Sequence, residues 1–294
     1  MRLVVHGDFD GVVCAVLITS MEDVVEIVFA EPAEVQNREI EITAEDIIAD
    51  LPYHPKCALW FDHHYTSRTN TKFEGSFKLA PSCARVVFDY YDNPYLEKYR
   101  PLVDAADKID GGNITKEQLY NPDDYQKLSM TLDSDDPKKD DEYRLDVIKW
   151  LKKHSIEEII GFPEVKRRYE AKHAMFERFK EEAKKRARME GDIVIVDLRG
   201  VDRSVGVGSN YAVYAVFPEC KSSIRIFESV DEKYVSISVG HNILKRSEGM
   251  ANLGELMKRY GGGGHANVAG CRVEKEKADR TLAEIVAILR EPTQ

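Results

Sequence analysis

Short apolar runs alternate with amphipathic stretches along the first half of the chain, and the change of period sets the expected elements. A β-branched run at 3–5 reads as a buried strand, and residues 12–21, after Gly11, read as a helix. Residues 24–30 read as a strand, 44–49 as a strand or short helix, 58–61 as a strand, and 82–91 and 96–109 as helices. This alternation predicts an α/β fold, a parallel sheet with helices on both faces. The segment 133–142, DSDDPKKDDE with Pro137, reads as a charged loop. Residues 164–189 carry many Glu, Lys and Arg, with Val165, Tyr169, Phe176, Phe179 and Ala183 partly at helical spacing. They predict a long helix joining two domains, its charges mostly on a solvated face. After Gly191 the pattern is strand-rich, at 192–197, 212–217, 223–228 and 234–239. A helix at 253–260 follows, and 278–289 closes the chain. The expected organisation is a first domain over 1–163, a helical linker over 164–190 and a smaller α/β domain over 191–294. No internal repeat or low-complexity tract is present.

Composition narrows the classes. A chain of 294 residues is long enough for two cores. Its net charge of −10 argues against a protein that coats long nucleic acid, and leaves room for a short nucleotide in a local basic pocket. The basic run at 184–188 reads as a solvated helix end rather than a nucleic-acid patch. Cys14, Cys57, Cys83, Cys220 and Cys271 are scattered, odd in number and free of any CxxC pair, which points to reduced thiols and a cytoplasmic setting. The chain enters a strand at once, leaving no room for a signal peptide, and no apolar run approaches the roughly 18 residues that span a bilayer.

Three segments carry chemistry. In residues 3–15, LVVHGDFDGVVCA, His6, Asp8 and Asp10 fall at alternate positions after a strand, where open α/β sheets bind ligands. Alternate side chains of an extended segment point one way, and hard ligands with no Lys or Arg among them repel unless a cation sits between them. An acidic surface loop is the plain alternative. In LWFDHHY, Asp62, His63 and His64 again end an apolar run. Adjacent histidines after a strand face opposite ways, so one suits a metal and the other a substrate, with Asp62 placed to fix an imidazole tautomer. In YGGGGHANVAG, four glycines precede His265. Glycine is costly in ordered structure, so the run suggests backbone that approaches an anion closely rather than packing or a flexible linker.

These motifs, HGDFDG, the DHH at 62–64 and GGGGHANVAG, resemble in order and spacing those of the DHH phosphoesterase superfamily with a C-terminal DHHA1 domain. Cys14 stands where a Ser is common, and Val268 replaces the first Ala of the family's GGGHxxAAG. Both are small packing changes that bear on substrate detail more than on the metal site. The resemblance implies an N-terminal metal-binding catalytic domain, a mixed-sheet DHHA1 substrate domain and hydrolysis of phosphoesters. Two divalent ions about 3.5–4 Å apart would activate a bridging water. His6 and Asp8 would hold one ion, and Asp10 and His63 the other. Asp50 is the expected bridging carboxylate, with Asp46 its competitor. A further ligand is expected from VDAADKIDGG, with Asp107 the best match and Asp104 and Asp110 its rivals. Mixed His and Asp donors without thiolate suit Mn²⁺, with Mg²⁺ or Co²⁺ as alternatives.

The resemblance gives His64 to the phosphoryl oxygen or leaving group, supported by Asp62. Gly262, Gly263, Gly264 and His265 would hold a phosphate or the far end of the substrate. Arg225 and Arg259 are candidate anion contacts, although such residues are more often surface ion-pair partners. His241 reads as structural, and His54, His154 and His173 carry no further context. The expected partner is a short oligonucleotide, nucleotide or polyphosphate, with no membrane and with a homodimer as a candidate assembly. The competing classes are an exopolyphosphatase or pyrophosphatase and a non-catalytic nucleotide-binding module.

Overall fold

The computed structural model describes residues 1–132, 140–202, 211–229, 233–245 and 250–290. Residues 133–139 of the expected charged loop therefore lie outside the described residues. The elements run β1 (Arg2–His6), α1 (Phe9–Met21), β2 (Glu26–Ala30), α2 (Pro32–Gln36), β3 (Asp46–Ala49), β4 (Leu59–Asp62), β5 (Gly75–Phe77), α3 (Cys83–Tyr91) and α4 (Arg100–Asp110). They continue with α5 (Lys116–Tyr120), α6 (Asp124–Leu132), α7 (Asp141–Leu151), α8 (Ile156–Ile160) and α9 (Pro163–Arg186). Then follow β6 (Ala187–Glu190), β7 (Ile193–Asp197), α10 (Ala212–Val216), β8 (Ser222–Glu228) and β9 (Tyr234–His241). The last are α11 (Leu253–Lys258), β10 (Gly263–Gly264), β11 (Val268–Glu274) and α12 (Ala278–Arg290). Two compact units result, Met1–Asn113 with Pro122–Glu170, and Ile114–Asn121 with Ala171–Gln294. Among the described residues no helix is long and apolar enough to cross a membrane.

In the first unit five parallel strands lie in the order β2-β1-β3-β4-β5. Successive residues of each strand serve opposite faces. Leu3, Val5, Ile47, Ala49 and Phe61 pack with residues of α1, α3, α4, α6 and α7. Val4, Ile48 and Trp60 pack with Val35 of α2 and with Ile42. That second face is covered mainly by loops and aromatics, and the Trp60 indole N–H donates to the Leu51 carbonyl at 2.8 Å. Helix α1 is buried from Phe9 to Ile18, which explains its apolar character on every side.

The second unit carries a mixed sheet in the order β10-β11-β9-β8-β7-β6, in which β7 and β8 are parallel and the other neighbours antiparallel. Ile193, Ile195, Ile224 and Ile237 face α11 and α12, while Val194 and Val196 face Phe179 and Ala183 of α9 and Tyr214 of α10.

Several elements differ from the sequence reading. Residues 212–217 read as a strand, yet Ala212–Val216 is helix α10. A five-residue apolar run has no usable period, and tertiary packing decides. Here Ala212, Val213 and Tyr214 are buried, and the Tyr214 hydroxyl meets Ser223 Oγ at 2.9 Å. The helix expected at 96–109 is a 3₁₀ turn over Pro94–Tyr99 followed by α4, since Pro101 supplies no N–H and restarts the ladder. The long helix stops at Arg186, and Ala187–Glu190 pairs with β7 around Gly191, whose φ is +65°. The basic residues there are matched locally, Lys184 to Glu181 at 2.9 Å, Lys185 to Glu182 at 2.8 Å and Arg186 to Glu182 at 3.1 Å.

Asp46 opens β3 and is 1% exposed. Its carboxylate accepts from Arg2 Nε at 2.8 Å, Arg2 Nη2 at 2.7 Å and the Thr43 N–H at 2.7 Å. Burial favours its neutral form, but Arg2 and Thr43 outweigh this and hold its pKa below the usual range. A depressed pKa stabilises the fold above the unfolded value and stops doing so as pH falls through the folded one. Asp46→Asn is expected to cost about 1.5–3 kcal/mol in urea unfolding at pH 7. The difference from the unsubstituted protein should shrink as pH falls below about 4. A constant difference down to strongly acid pH would show that the charge is immaterial.

Candidate metal centre at the strand ends of the first unit

Because β1, β3 and β4 are parallel neighbours, their C-terminal ends deliver His6, Asp50, Asp62, His63 and His64 to one edge of the sheet. Strand β1 stops at His6, and Asp8 caps α1 by accepting from the Gly11 N–H at 2.9 Å. Gly11 is required there, since a Cβ would stand 2.0 Å from the His6 carbonyl oxygen. Asp10 lies in the first turn of α1. His6, Asp8 and Asp10 therefore converge through a strand, a cap and a helical turn, not through the extended alternation that their spacing suggests.

Asp50 follows β3 with φ +58°, a left-handed conformation uncommon outside glycine and best tolerated by Asn and Asp. Its N–H donates to the Phe61 carbonyl at 2.9 Å, which fixes it against β4. His6 Nδ1 lies 3.1 Å from Asp8 Oδ2 and 3.6 Å from Asp50 Oδ2. His63 Nε2 lies 3.6 Å from Asp10 Oδ2, 3.6 Å from Asp50 Oδ1 and 3.4 Å from Asp110 Oδ2. Two ligand groups, His6 with Asp8 and Asp10 with His63, thus share Asp50.

The orientation of each donor is built in. His63 Nδ1 donates to the Ala80 carbonyl at 3.0 Å, so in the neutral ring Nε2 turns a lone pair toward the carboxylates. Asp10 accepts from the Cys83 and Ala84 N–H groups at 2.6 and 2.8 Å, at the positive end of α3. Asp62 Oδ1 accepts from the His63 N–H and from His64 Nδ1, both at 2.8 Å.

The electrostatics call for a cation. Burial, with repulsion from Asp110 and Asp8, pushes Asp10 up to about 7 despite the opposing influence of His63. Burial, then Asp8, pushes Asp110 up to about 7, and Asp50 is raised well above the carboxylate range by burial and by Asp10. Burial alone would lower His64, but Asp62, Asp50 and Asp110 push it up to about 10. Buried Asp50 Oδ1 and Asp62 Oδ2 receive no hydrogen bond among the described residues. Carboxylate oxygens left without donors, together with imidazole nitrogens and no thiolate, fit hard or borderline divalent ions such as Mn²⁺ and Mg²⁺.

The structure leaves three candidate ligands out. Asp46 is engaged by Arg2 at the other end of β3. Asp107 does not reach the cluster, because its carboxylate accepts from Ser82 Oγ at 2.6 Å and from Arg85 Nη2 at 2.7 Å. Asp104 pairs with Arg85 as well. Asp110, one helical turn beyond Asp107, is the residue of α4 that faces His63. Two neighbours escaped the sequence reading. Glu31 Oε2 lies 3.6 Å from His6 Nε2, and its place just after β2, beside β1, was a usable signal. Arg144 reaches Gly7 from 137 residues away, and nothing local announces it.

In the second unit the glycine run has a packing reason that the sequence reading denied it. The Gly261 and Gly262 N–H groups donate to Lys258 and Met257, and the His265 N–H to Val268 at 2.8 Å. A Cβ at Gly262 would stand 2.1 Å from the Gly270 oxygen, and one at Gly264, whose φ is +134°, 2.7 Å from the Val268 oxygen. Gly263 and Gly264 pair with β11, so these glycines build a tight hairpin that carries His265. Arg225 is buried and donates to Ser238 Oγ at 3.1 Å, which is no surface ion pair. His241 is buried between Ser222 Oγ and the Ala251 carbonyl, as suits a structural role. Arg259 lies exposed just after α11.

Residues 219–291 match the model of the DHHA1 domain. The pGpG-specific phosphodiesterase PggH of Vibrio cholerae is 30% identical, with 99% of each chain covered and a TM-score of 0.75. An exopolyphosphatase-related protein of Bacteroides fragilis shares the fold at 12% identity and TM-score 0.52, over 99% of this chain and 93% of that one. RecJ of Thermus thermophilus, in complex with Mn²⁺, does so at 12% identity and TM-score 0.58, over 99% of this chain and 52% of that one. No curated protein matches in sequence. A parallel sheet edged by His and Asp, followed by a DHHA1 domain, defines a metal-dependent phosphoesterase. The chain belongs to the DHH/DHHA1 phosphoesterase superfamily and is a hydrolase of phosphoester bonds.

Buried carboxylates gathered for a cation oppose folding when none is bound. In chelator, Asp50→Asn is expected to raise the unfolding midpoint by about 2–4 °C, the scale of roughly 1 kcal/mol of relieved repulsion. A lower midpoint would assign Asp50 to the fold.

Proposed function

We propose that this hydrolase is a divalent-metal-dependent phosphodiesterase acting on short oligonucleotides or nucleotides, with phosphomonoesters within its reach. Asp50 carries the reading. It is buried, left-handed and common to both ligand groups, as a bridging carboxylate must be. The substrate class is supported by the likeness to a pGpG-specific phosphodiesterase over the length of both chains.

In this reading His6 and Asp8 would hold one ion, Asp10, His63 and Asp110 would hold the other, and Asp50 would serve both. Such ions, when bound, polarise phosphoryl oxygens and lower the pKa of water toward neutrality, with Mn²⁺ the first choice. The chain's own groups do the rest. Asp62 accepts from the His64 Nδ1–H and favours the protonated ring, which suits His64 to donate to a phosphoryl oxygen or to the leaving oxygen. The N–H groups at the α3 N-terminus favour the ionised form of Asp10, against its burial, and the Ala80 carbonyl fixes the His63 tautomer. From the second unit we assign His265 to a substrate phosphate, on the hairpin formed by Gly262, Gly263 and Gly264. The five free thiols suit a reducing compartment, and we place the activity in the cytoplasm.

The test is turnover by Mn²⁺-loaded protein of pGpG and other dinucleotides, bis-p-nitrophenyl phosphate, 3′-phosphoadenosine 5′-phosphate, pyrophosphate and polyphosphate. Dinucleotides are expected to be cleaved fastest, with activity lost in EDTA and restored by Mn²⁺. Preference for pyrophosphate or polyphosphate would overturn the substrate class, and turnover undiminished by EDTA would overturn the metal.

Two of the three α4 carboxylates can be told apart by substitution. Asp110→Asn is expected to weaken Mn²⁺ binding by at least about tenfold in calorimetric titration. Asp107→Asn should leave it within about twofold while costing about 1–3 kcal/mol of stability through Arg85. The reverse pattern would restore Asp107 as the ligand.

A further inference from the structure

The turn between β1 and α1 carries His6 and Asp8 on either side of Gly7, which has no side chain of its own. Its anchor comes from α7. Arg144 is 3% exposed. Its Nε donates to the Gly7 carbonyl at 2.6 Å. Its Nη1 donates to Asp141 Oδ1 at 3.1 Å and its Nη2 to the Leu132 carbonyl at 3.3 Å. Its Cζ lies 5.5 Å from the centre of the Phe29 ring on β2. The guanidinium packs flush on Gly7, where an added Cβ would stand 3.0 Å from both Cζ and Nε.

Burying a guanidinium costs several kcal/mol unless its donors are met, so a fold does not place one without return. A core in need of filling would use Leu or Met at that place. This cation instead grips the main chain of the residue between two candidate ligands, and its planar fork spans acceptors on three separate segments at once.

We propose that Arg144 is a positioning residue for metal binding, a clamp on Gly7 that sets His6 and Asp8 at the spacing a divalent ion requires. It touches neither ion nor substrate. The inference rests on the metal reading given above. Lysine would keep the charge but lose the fork, so Arg144→Lys is the informative substitution.

The experiment is calorimetric titration of the full chain with MnCl₂, with the folded fraction followed by circular dichroism. Arg144→Lys is expected to raise the Mn²⁺ dissociation constant about ten- to a hundredfold, the usual effect of a lost outer-shell partner, in protein that remains folded. Asp46→Asn, which destabilises the same unit at the far end of β3, is the control and should bind Mn²⁺ as the unsubstituted protein does. Equal affinity in Arg144→Lys would overturn the clamp alone. If that variant does not fold, Gly7→Ala decides, because it keeps Arg144 and crowds the contact. Weakened Mn²⁺ binding in Gly7→Ala supports the clamp, and unchanged binding refutes it. Absence of Mn²⁺ binding by the unsubstituted protein would remove the metal reading and the clamp together.

Discussion

Carboxylates withdrawn from water cannot all stay ionised beside one another, and much of the first unit is arranged around that constraint. Asp10, Asp50, Asp62 and Asp110, with half-exposed Asp8 beside them, come from a helix turn, two strand ends, a helix end and a helix cap. Each is held by main-chain groups or by an imidazole. The α3 N-terminus supports the charge of Asp10, the N–H of His63 that of Asp62, and the ring of His6 that of Asp8. Arg85 and Arg144 act from behind, on Asp107 and on Gly7 rather than on the ligand groups themselves.

The parts legible in the sequence were those with a local cause. Strands β1 and β4 show as apolar runs, and the ionisable residues that end them mark the working edge of a parallel sheet. Asp50 could be read because an apolar run precedes it and Pro52 follows. Asp110 could not be separated from Asp107, because both lie on α4 and the choice is made by Arg85, which belongs to a different helix. Its place directly before Gly111 and Gly112 was the one hint. The identity of α10 was lost for a similar reason, since Tyr214 is drawn to Ser223 by a contact that no window of sequence contains.

The glycine run shows how one signal can hold two causes. Costly residues imply a demand on the backbone, and the demand found here is the hairpin itself, with Gly262 and Gly264 pressed against β11. The main-chain N–H groups of Gly261, Gly262 and His265 are spent on carbonyls of α11 and β11.

The chain does not visit its two units in turn. Residues 114–121 belong with the second unit, and the chain then returns to the first for 122–170. During synthesis at about 5–20 residues per second, that short segment waits on the order of ten seconds or more for the partners that complete it. Meanwhile the first unit can close around its last helices and leave 114–121 as a tethered loop. Leu119 and Tyr120 then stay wet until α10 emerges, since Leu119 packs in that core and Tyr120 donates to the Ala215 carbonyl at 2.7 Å. The first unit is therefore finished early, while the second waits for strands and helices beyond residue 170 to take up a piece made long before.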